Sequence, residues 1–279
     1  MSAVMHQTRS TVRVQRRPGF QTLSGRPYRR FSCAVRRCCR AHRSSTAQGA
    51  SVSPLLANVY LHYVFDLWAG WWRKRRAHGD VIIVRFADDF TVGFEHRQDA
   101  ERFRDELRER FAKFGLELHP DKTQLIEFGR FAAERRQKRG LGKPETFEFL
   151  GFTHICAKMR DGRFWVRRIT VSKRMRAKLA EVKAETRRRA QQPIPEQGRW
   201  LASVVRGHMA YYAVPGNLKA VRAFRDQVIR HWLNALRRRS QKGRRLTWAR
   251  MNRIHKRWLP PARVMHPFPK QRLAATYPR

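Results

Sequence analysis

Carboxylates are scarce in this sequence. Asp and Glu number 21 against 62 Lys and Arg, giving a formal charge of +41 and a pI near 11.7. Residues 1–47 contain no Asp or Glu at all. A chain so unbalanced repels itself strongly unless it binds a polyanion, and nucleic acid is the natural counter-charge. Counterion release makes such binding strong and steeply salt-dependent, without conferring sequence specificity. Long apolar runs are missing too. Stretches such as Val81–Val84 fall far short of the ~20 residues that cross a bilayer, so no membrane partner is expected. The basic amino terminus lacks the apolar core and small-residue cleavage site of a secretory signal. There are only four cysteines: Cys33, Cys38 and Cys39 crowd one Arg-rich patch and Cys156 stands apart, so no disulfide framework is visible. With His42 the three clustered cysteines do not form two separated CxxC pairs, which argues against zinc. The expected compartment is the reducing cytoplasm, with an organelle as the weaker alternative raised by the Arg-rich leader.

The 279 residues suit two modules. Residues 1–47 show no apolar period of 2 or 3.6 and are expected to be a disordered or unmatched basic leader. From Ser53-Pro54 a helix is predicted, with Leu55, Val59, Tyr63 and Leu67 at three- and four-residue steps and proline in the first turn. Val81–Phe86 and Phe90–Phe94 read as two strands of a hairpin, with Asp88-Asp89 at its tip. Ala100, Phe103, Leu107, Phe111 and Phe114 mark a sheet-covering helix that Gly115 closes. Short strands are predicted at 116–118, 123–128, 147–152 and 164–169. Three helical stripes follow: Met175, Leu179 and Val182; Leu201, Val205, His208 and Tyr211-Tyr212; and Val221, Phe224, Val228, Trp232 and Leu236. The last stretch, with Pro260-Pro261, Pro267 and Pro269, reads as an extended basic tail.

Adjacent carboxylates at a hairpin tip repel one another unless they stay solvated or hold a cation. Two-metal phosphoryl transfer uses such groups to hold ions about 3.5–4 Å apart. On its own Asp88-Asp89 reads better as a polar turn between strands than as a metal site. It does not stand alone. Gln48-Gly49 through Ser53-Pro54-Leu-Leu-Ala-Asn-Val-Tyr-Leu-His62, then Arg85-Phe-Ala-Asp-Asp-Phe90, Gly115 through His119-Pro-Asp-Lys-Thr123, and Phe149-Leu-Gly-Phe152 occur in order. In that order and spacing they resemble the palm motifs of group II intron reverse transcriptases. Leu201–Tyr212 resembles the maturase-specific X, or thumb, domain of the same family. The expected fold is α+β, with a partial reverse-transcriptase palm of antiparallel sheet and packed helices over 48–170. An all-α thumb/maturase domain over 171–240 and a basic tail over 241–279 complete the expectation.

The resemblance implies roles by position. Asp88 and Asp89 match the catalytic, metal-binding pair, with Phe86 where the family usually has Tyr. Gln48 and Gly49 match the loop beside template and nucleotide, with Ala47 in place of the usual Pro. Lys122 matches a basic residue near the nucleotide phosphates, though a solvated turn lysine reads the same way. Phe149, Leu150 and Gly151 match a primer-gripping hairpin, against which stands plain strand packing. Tyr211, Tyr212 and Trp200 either stack on bases or pack a core; their place on a helical apolar face favours the core. Arg187, Arg188, Arg189, Arg206, Arg237, Arg238 and Arg239 are read as RNA-binding, since at this net charge phosphate contact outweighs a merely solvated face.

A two-metal site needs a further carboxylate from a neighbouring strand, which the family carries well before the Gln-Gly loop. The acid-free leader cannot supply it, and the fingers elements are missing. No cysteine follows Cys156, which argues against the metal-dependent endonuclease of many relatives. The expected function is therefore that of a truncated reverse transcriptase/maturase that binds group II intron RNA and assists splicing without polymerising alone. The alternative is an RNA-directed DNA polymerase complemented by an N-terminal fingers/palm fragment, acting on a DNA primer or target, with Mg²⁺ only once the site is completed.

Overall fold

A computed structural model of the chain describes residues 3–7 (backbone only), 52–119, 122–159 and 161–268. It divides into two compact units, Met1–Ala132 and Ala133–Arg279.

The first unit contains β1 (Ala3–Gln7), then α1 (Ser53–Leu61), a π-helical turn (His62–Asp66) and α2 (Leu67–Arg75). It continues with β2 (Val81–Phe86), β3 (Asp89–Phe94), α3 (Arg97–Lys113) and β4 (Thr123–Glu127). The four strands form one antiparallel sheet in the order β2-β3-β1-β4. Pro54 stands in the first turn of α1, where a missing N–H costs nothing. Along β3 the period of two is strict: Phe90, Val92 and Phe94 are buried, while Asp89, Thr91 and Gly93 are half-buried. Ala100, Phe103, Leu107 and Phe111 of α3 lie in the same core with Phe65 and Trp72, and Trp72 meets Phe103 edge-on at 5.0 Å. As expected, α3 closes at Gly115, whose N–H donates to Ala112 O while that of Leu116 reaches back to Phe111 O. At the other end of the sheet, Asp99 accepts from the backbone N–H groups of His78 and Gly79 and from Arg102 Nη2. That carboxylate satisfies the turn between α2 and β2.

The first unit departs from the sequence-based expectation in two places. Ala3–Gln7 lies inside the leader read as featureless, yet its backbone pairs with β3 and β4. Leu116–Leu118 alternates in burial but pairs with no strand, because its two leucines fill the core from an irregular segment.

The second unit begins with α4 (Ala132–Lys138), which straddles the division, and then a three-stranded antiparallel sheet of β5 (Phe147–Phe149), β6 (Phe152–Lys158) and β7 (Phe164–Thr170). This sheet, read from the sequence as part of the palm, shares a compact unit with the helices that follow. These are α5 (Ser172–Arg188), α6 (Ile194–Tyr212), α7 (Leu218–Arg239), α8 (Gln241–Arg244) and α9 (Trp248–Trp258). Phe147–Phe152, read from its pattern as one short strand and from the resemblance as carrying a hairpin, is a hairpin: Phe149 pairs with Phe152, and Leu150 and Gly151 turn the chain with φ of 48° and 79°. Two positive φ values in a two-residue loop match the twist of the flanking strands. Buried Asn217 locks the helices to β7, donating to Thr170 Oγ1 and Tyr212 O and accepting from the Thr170 N–H.

The three predicted stripes of α5, α6 and α7 meet in a core containing Val182, Leu201, Val205, Phe224, Val228 and Trp232. The stretch expected to be a tail is helical as far as Trp258, and its Met251 and Leu259 are buried in that same core. Among the described residues, no helix is long and apolar enough to cross a membrane.

Candidate functional site

The pairing of Phe86 with Asp89 leaves Ala87 and Asp88 as a two-residue connection between β2 and β3. Ala87 is held at φ +54°, a left-handed conformation that costs a non-glycine residue about 1–2 kcal/mol. Such strain persists only where surrounding structure over-determines it.

Arg85 provides that restraint. Its Nε and Nη2 reach the two oxygens of Asp66 at 2.7 and 2.6 Å. Nη1 donates to Asn58 Oδ1 at 3.0 Å and to the Ala87 carbonyl at 2.7 Å. One guanidinium thus ties the carboxylate turn to α1 and to the π-helical turn that presents Asp66. Burial alone would raise the Asp66 pKa, but hydrogen bonding and charge from Arg85, with help from His62, outweigh it and hold the carboxyl below its ordinary value. The pair is only 15% and 30% exposed. Arg85→Met is therefore expected to destabilise the first unit by about 2 kcal/mol, because it strands a partly buried carboxylate. Urea unfolding of the variant checks this, and a wild-type midpoint would contradict the restraint.

Asp88 and Asp89 are both half-buried at the tip. On the sheet face away from the helices, Ile82, Val84 and Phe86 stand 68%, 47% and 63% exposed. These three apolar side chains form an open strip on the same hairpin as the two carboxylates. Lys122, half-buried, directly precedes β4. Thr123 lies opposite Gln7 and Gln7 opposite Phe90, so Lys122 belongs to the same end of the sheet as the carboxylate turn.

The third carboxylate of a metal pair would have to come from a strand beside β3. One neighbour is β2; the other is β1, with Gln7 opposite Phe90 and His6 opposite Thr91. Its sequence, Ala-Val-Met-His-Gln, has no acid. Among the described residues, no three His, Cys, Asp or Glu side chains gather where one ion could be held. The donor set therefore does not by itself fit a pair of magnesium ions.

The other predicted residues are distributed as follows. Gln48 and Gly49 lie outside the described residues, as does the Cys33, Cys38, Cys39 and His42 patch. Phe149, Leu150 and Gly151 form the hairpin tip of the second unit. Tyr211 stacks on Phe152 at 5.7 Å and donates its hydroxyl to Leu150 O, while Tyr212 meets Phe152 and His208. Both tyrosines brace that tip. Arg206 is exposed on α6. Of the cluster at 187–189, Arg188 and Arg189 both pair with Glu185, and Arg189 lies over Trp200 at 5.0 Å. Hydrogen bonds from those two guanidiniums hold the Glu185 carboxyl below its usual range. At the end of α7, Arg239 donates to Gln192 O and Arg237 to Leu246 O.

Sequence reading missed the Arg85–Asp66–Asn58 anchor, although all three residues lie in or beside the motifs it used. It also missed α9, whose signal was Trp248, Met251, His255 and Trp258 at three- and four-residue steps behind the capping hydroxyl of Thr247.

Residues 22–154, just under half of the chain, match the family model described as reverse transcriptase (RNA-dependent DNA polymerase). The segment carrying the carboxylate turn is thus similar to a reverse-transcriptase domain. The match begins within the leader read as unmatched. No curated protein matches the chain. A solved telomerase structure from Candida albicans, in complex with a TWJ fragment of telomeric RNA, is similar over 91% of this chain and 47% of its own, at 10% identity and a TM-score of 0.35. The chain spans less than half of that relative, and a TM-score of this size defines no common fold.

Proposed function

We propose that the chain is a maturase-type member of the group II intron reverse transcriptases, which clasps intron RNA and assists its splicing without polymerising DNA by itself. The carrying observation is the acid-free strand beside an anchored twin-carboxylate turn, within a segment that is otherwise reverse-transcriptase-like. A charge of +41 supplies the attraction for RNA, and the ordered motifs from Gln48 to Phe152 supply the particular kinship.

On this reading α5, α6 and α7 act as the X/thumb element. The Phe149–Gly151 tip meets primer or intron RNA, and Gln48, Gly49, Phe86 and Lys122 keep the template and nucleotide positions. The compartment that goes with it is the cytoplasm. A second reading, favoured by the retention of both Asp88 and Asp89, is a polymerase completed by a separate fingers/palm polypeptide; only there would magnesium enter, held by those two residues and a supplied carboxylate.

Splicing of a group II intron RNA at limiting magnesium, with and without the purified chain, tests the first reading. Acceleration is expected, and Asp88→Ala is expected to leave both acceleration and RNA affinity at the wild-type level. No acceleration, or an affinity that collapses in Asp88→Ala, would contradict it.

A further inference from the structure

No Asp or Glu follows Asp226, whereas fifteen Lys and Arg do. Within that acid-free stretch, a cavity of ≈ 460 Å³ at the junction of α7 and α8 is lined by Arg237, Arg238, Ser240, Gln241 and Arg244. The turn that builds it is tight. A side chain at Gly243 would place its Cβ 2.3 Å from the Leu236 carbonyl oxygen, so only glycine lets α8 fold back on α7 and bring Arg244 beside Arg237 and Arg238. The Gly243 N–H donates to Ser240 Oγ at 3.1 Å, and Arg237 Nε donates to Leu246 O at 2.9 Å. That second bond fixes the Arg237 guanidinium while leaving its Nη hydrogens for a ligand.

None of the three arginines pairs with a carboxylate among the described residues. At 187–189, by contrast, Glu185 already occupies Arg188 and Arg189, and the cavity beside them is lined by Glu181 and Glu185. A phosphate entering there would meet two carboxylates, whereas at the end of α7 it meets three guanidiniums.

We infer that the Arg237–Arg238–Arg244 pocket is a phosphate seat for the RNA backbone and the dominant specific phosphate contact of the helical unit. This rests on the RNA-binding reading above. Guanidinium forks match phosphate oxygens in pairs, which a point-charged ammonium does not.

The test uses the full chain and a short mixed-sequence RNA, with affinity measured across a salt series. Replacing Arg237, Arg238 and Arg244 together by Gln is expected to flatten the log–log salt slope by about two units, at roughly 0.7 per contact on a single strand. Arg188→Gln is expected to leave the slope unchanged. The Arg238→Gln/Arg244→Gln double variant breaks no side-chain hydrogen bond among the described residues and is expected to lose a little over one unit, at about 0.7 per contact, which guards against a folding effect. Arg237→Lys is expected to keep the slope but lose affinity several-fold. RNA with a 5′-hydroxyl and RNA with a 5′-phosphate are expected to bind alike; a marked preference for the 5′-phosphate would overturn the backbone assignment in favour of a chain-end phosphate. Wild-type binding with an unchanged slope in both multiple variants, or an Arg188 effect as large, would overturn the seat alone. Failure of the wild-type chain to bind RNA at moderate salt would overturn the RNA-binding reading and the seat with it.

Discussion

Acidification from pH 7 to pH 4 is expected to cost the helical unit up to about 3 kcal/mol through His208 alone. Its ring is buried, stacked on Phe224 at 3.6 Å and tilted against Tyr212. Among the described residues, Nε2 has no hydrogen-bond partner. Burial, reinforced by the charge of Lys178, lowers the pKa to about 4. The folded ring therefore stays neutral while an unfolded one takes up a proton near its ordinary value, about 6.5. Between those two values the unfolded state binds more protons, so stability falls progressively as pH drops through the window and is constant above it. His231 and His255, both lowered chiefly by burial, act with the same sign. His208→Phe keeps a flat ring on Phe224 and removes the titration, so its stability-versus-pH curve is expected to be flatter over the same window. Parallel curves for the two proteins would refute this role for His208. In the first unit Asp66 and Asp99 sit below their ordinary values despite burial, through bonds from Arg85, and from His78 and Arg102, respectively. Their contribution is complete above the unfolded carboxylate value, about 3.9, and is lost only as pH falls below it. The two units should thus weaken in separate windows, the helical one first.

Trp232→Ala is expected to cost about 3–5 kcal/mol, enough to abolish cooperative unfolding of the helical unit. The indole is fully buried in α7, and its Nε1 donates to Gln197 Oε1 at 2.8 Å. Gln197, itself buried, donates in turn to the carbonyls of Ala190 and Gln192, which lie in the loop between α5 and α6. Truncation opens a cavity among the helices and also orphans an amide oxygen, adding about 1–3 kcal/mol if no water enters. Trp232→Phe loses the hydrogen bond and only part of the volume, so it separates the two contributions. Chemical unfolding measures both, and equal losses for Ala and Phe would contradict the packing role.

Both predictions rest on stripes that the sequence displays openly. The apolar steps in α5, α6 and α7 are regular enough to place His208 and Trp232 on inward faces, and the period of two in β2 and β3 places Asp88 and Asp89 at the tip. What was not legible depended on partners distant in the chain. Ala3–Gln7 is a strand because the edges of β3 and β4 accept it, not because five residues next to an Arg-rich stretch carry a period. The turn at Leu150-Gly151 puts a leucine in a left-handed conformation that its side chain disfavours. Residue pattern alone reads such a pair as continuing strand; only the resemblance points to a hairpin there. The Arg85–Asp66 bond spans nineteen residues and depends on the register of a π-helical turn, which periodicity does not reveal. The pairing of Arg188 and Arg189 with Glu185 was visible in principle as i,i+3 and i,i+4 spacing, and it alters how the arginine clusters rank as phosphate contacts.

Primer extension on an RNA template, by the purified 279-residue chain with magnesium, bears most directly on the carboxylate turn. No extension is expected from the chain alone, because Asp88 and Asp89 have no third acidic neighbour on the strand beside them. Extension by the chain alone, abolished in Asp88→Ala, would show that this polypeptide closes its own metal site and would contradict the central claim.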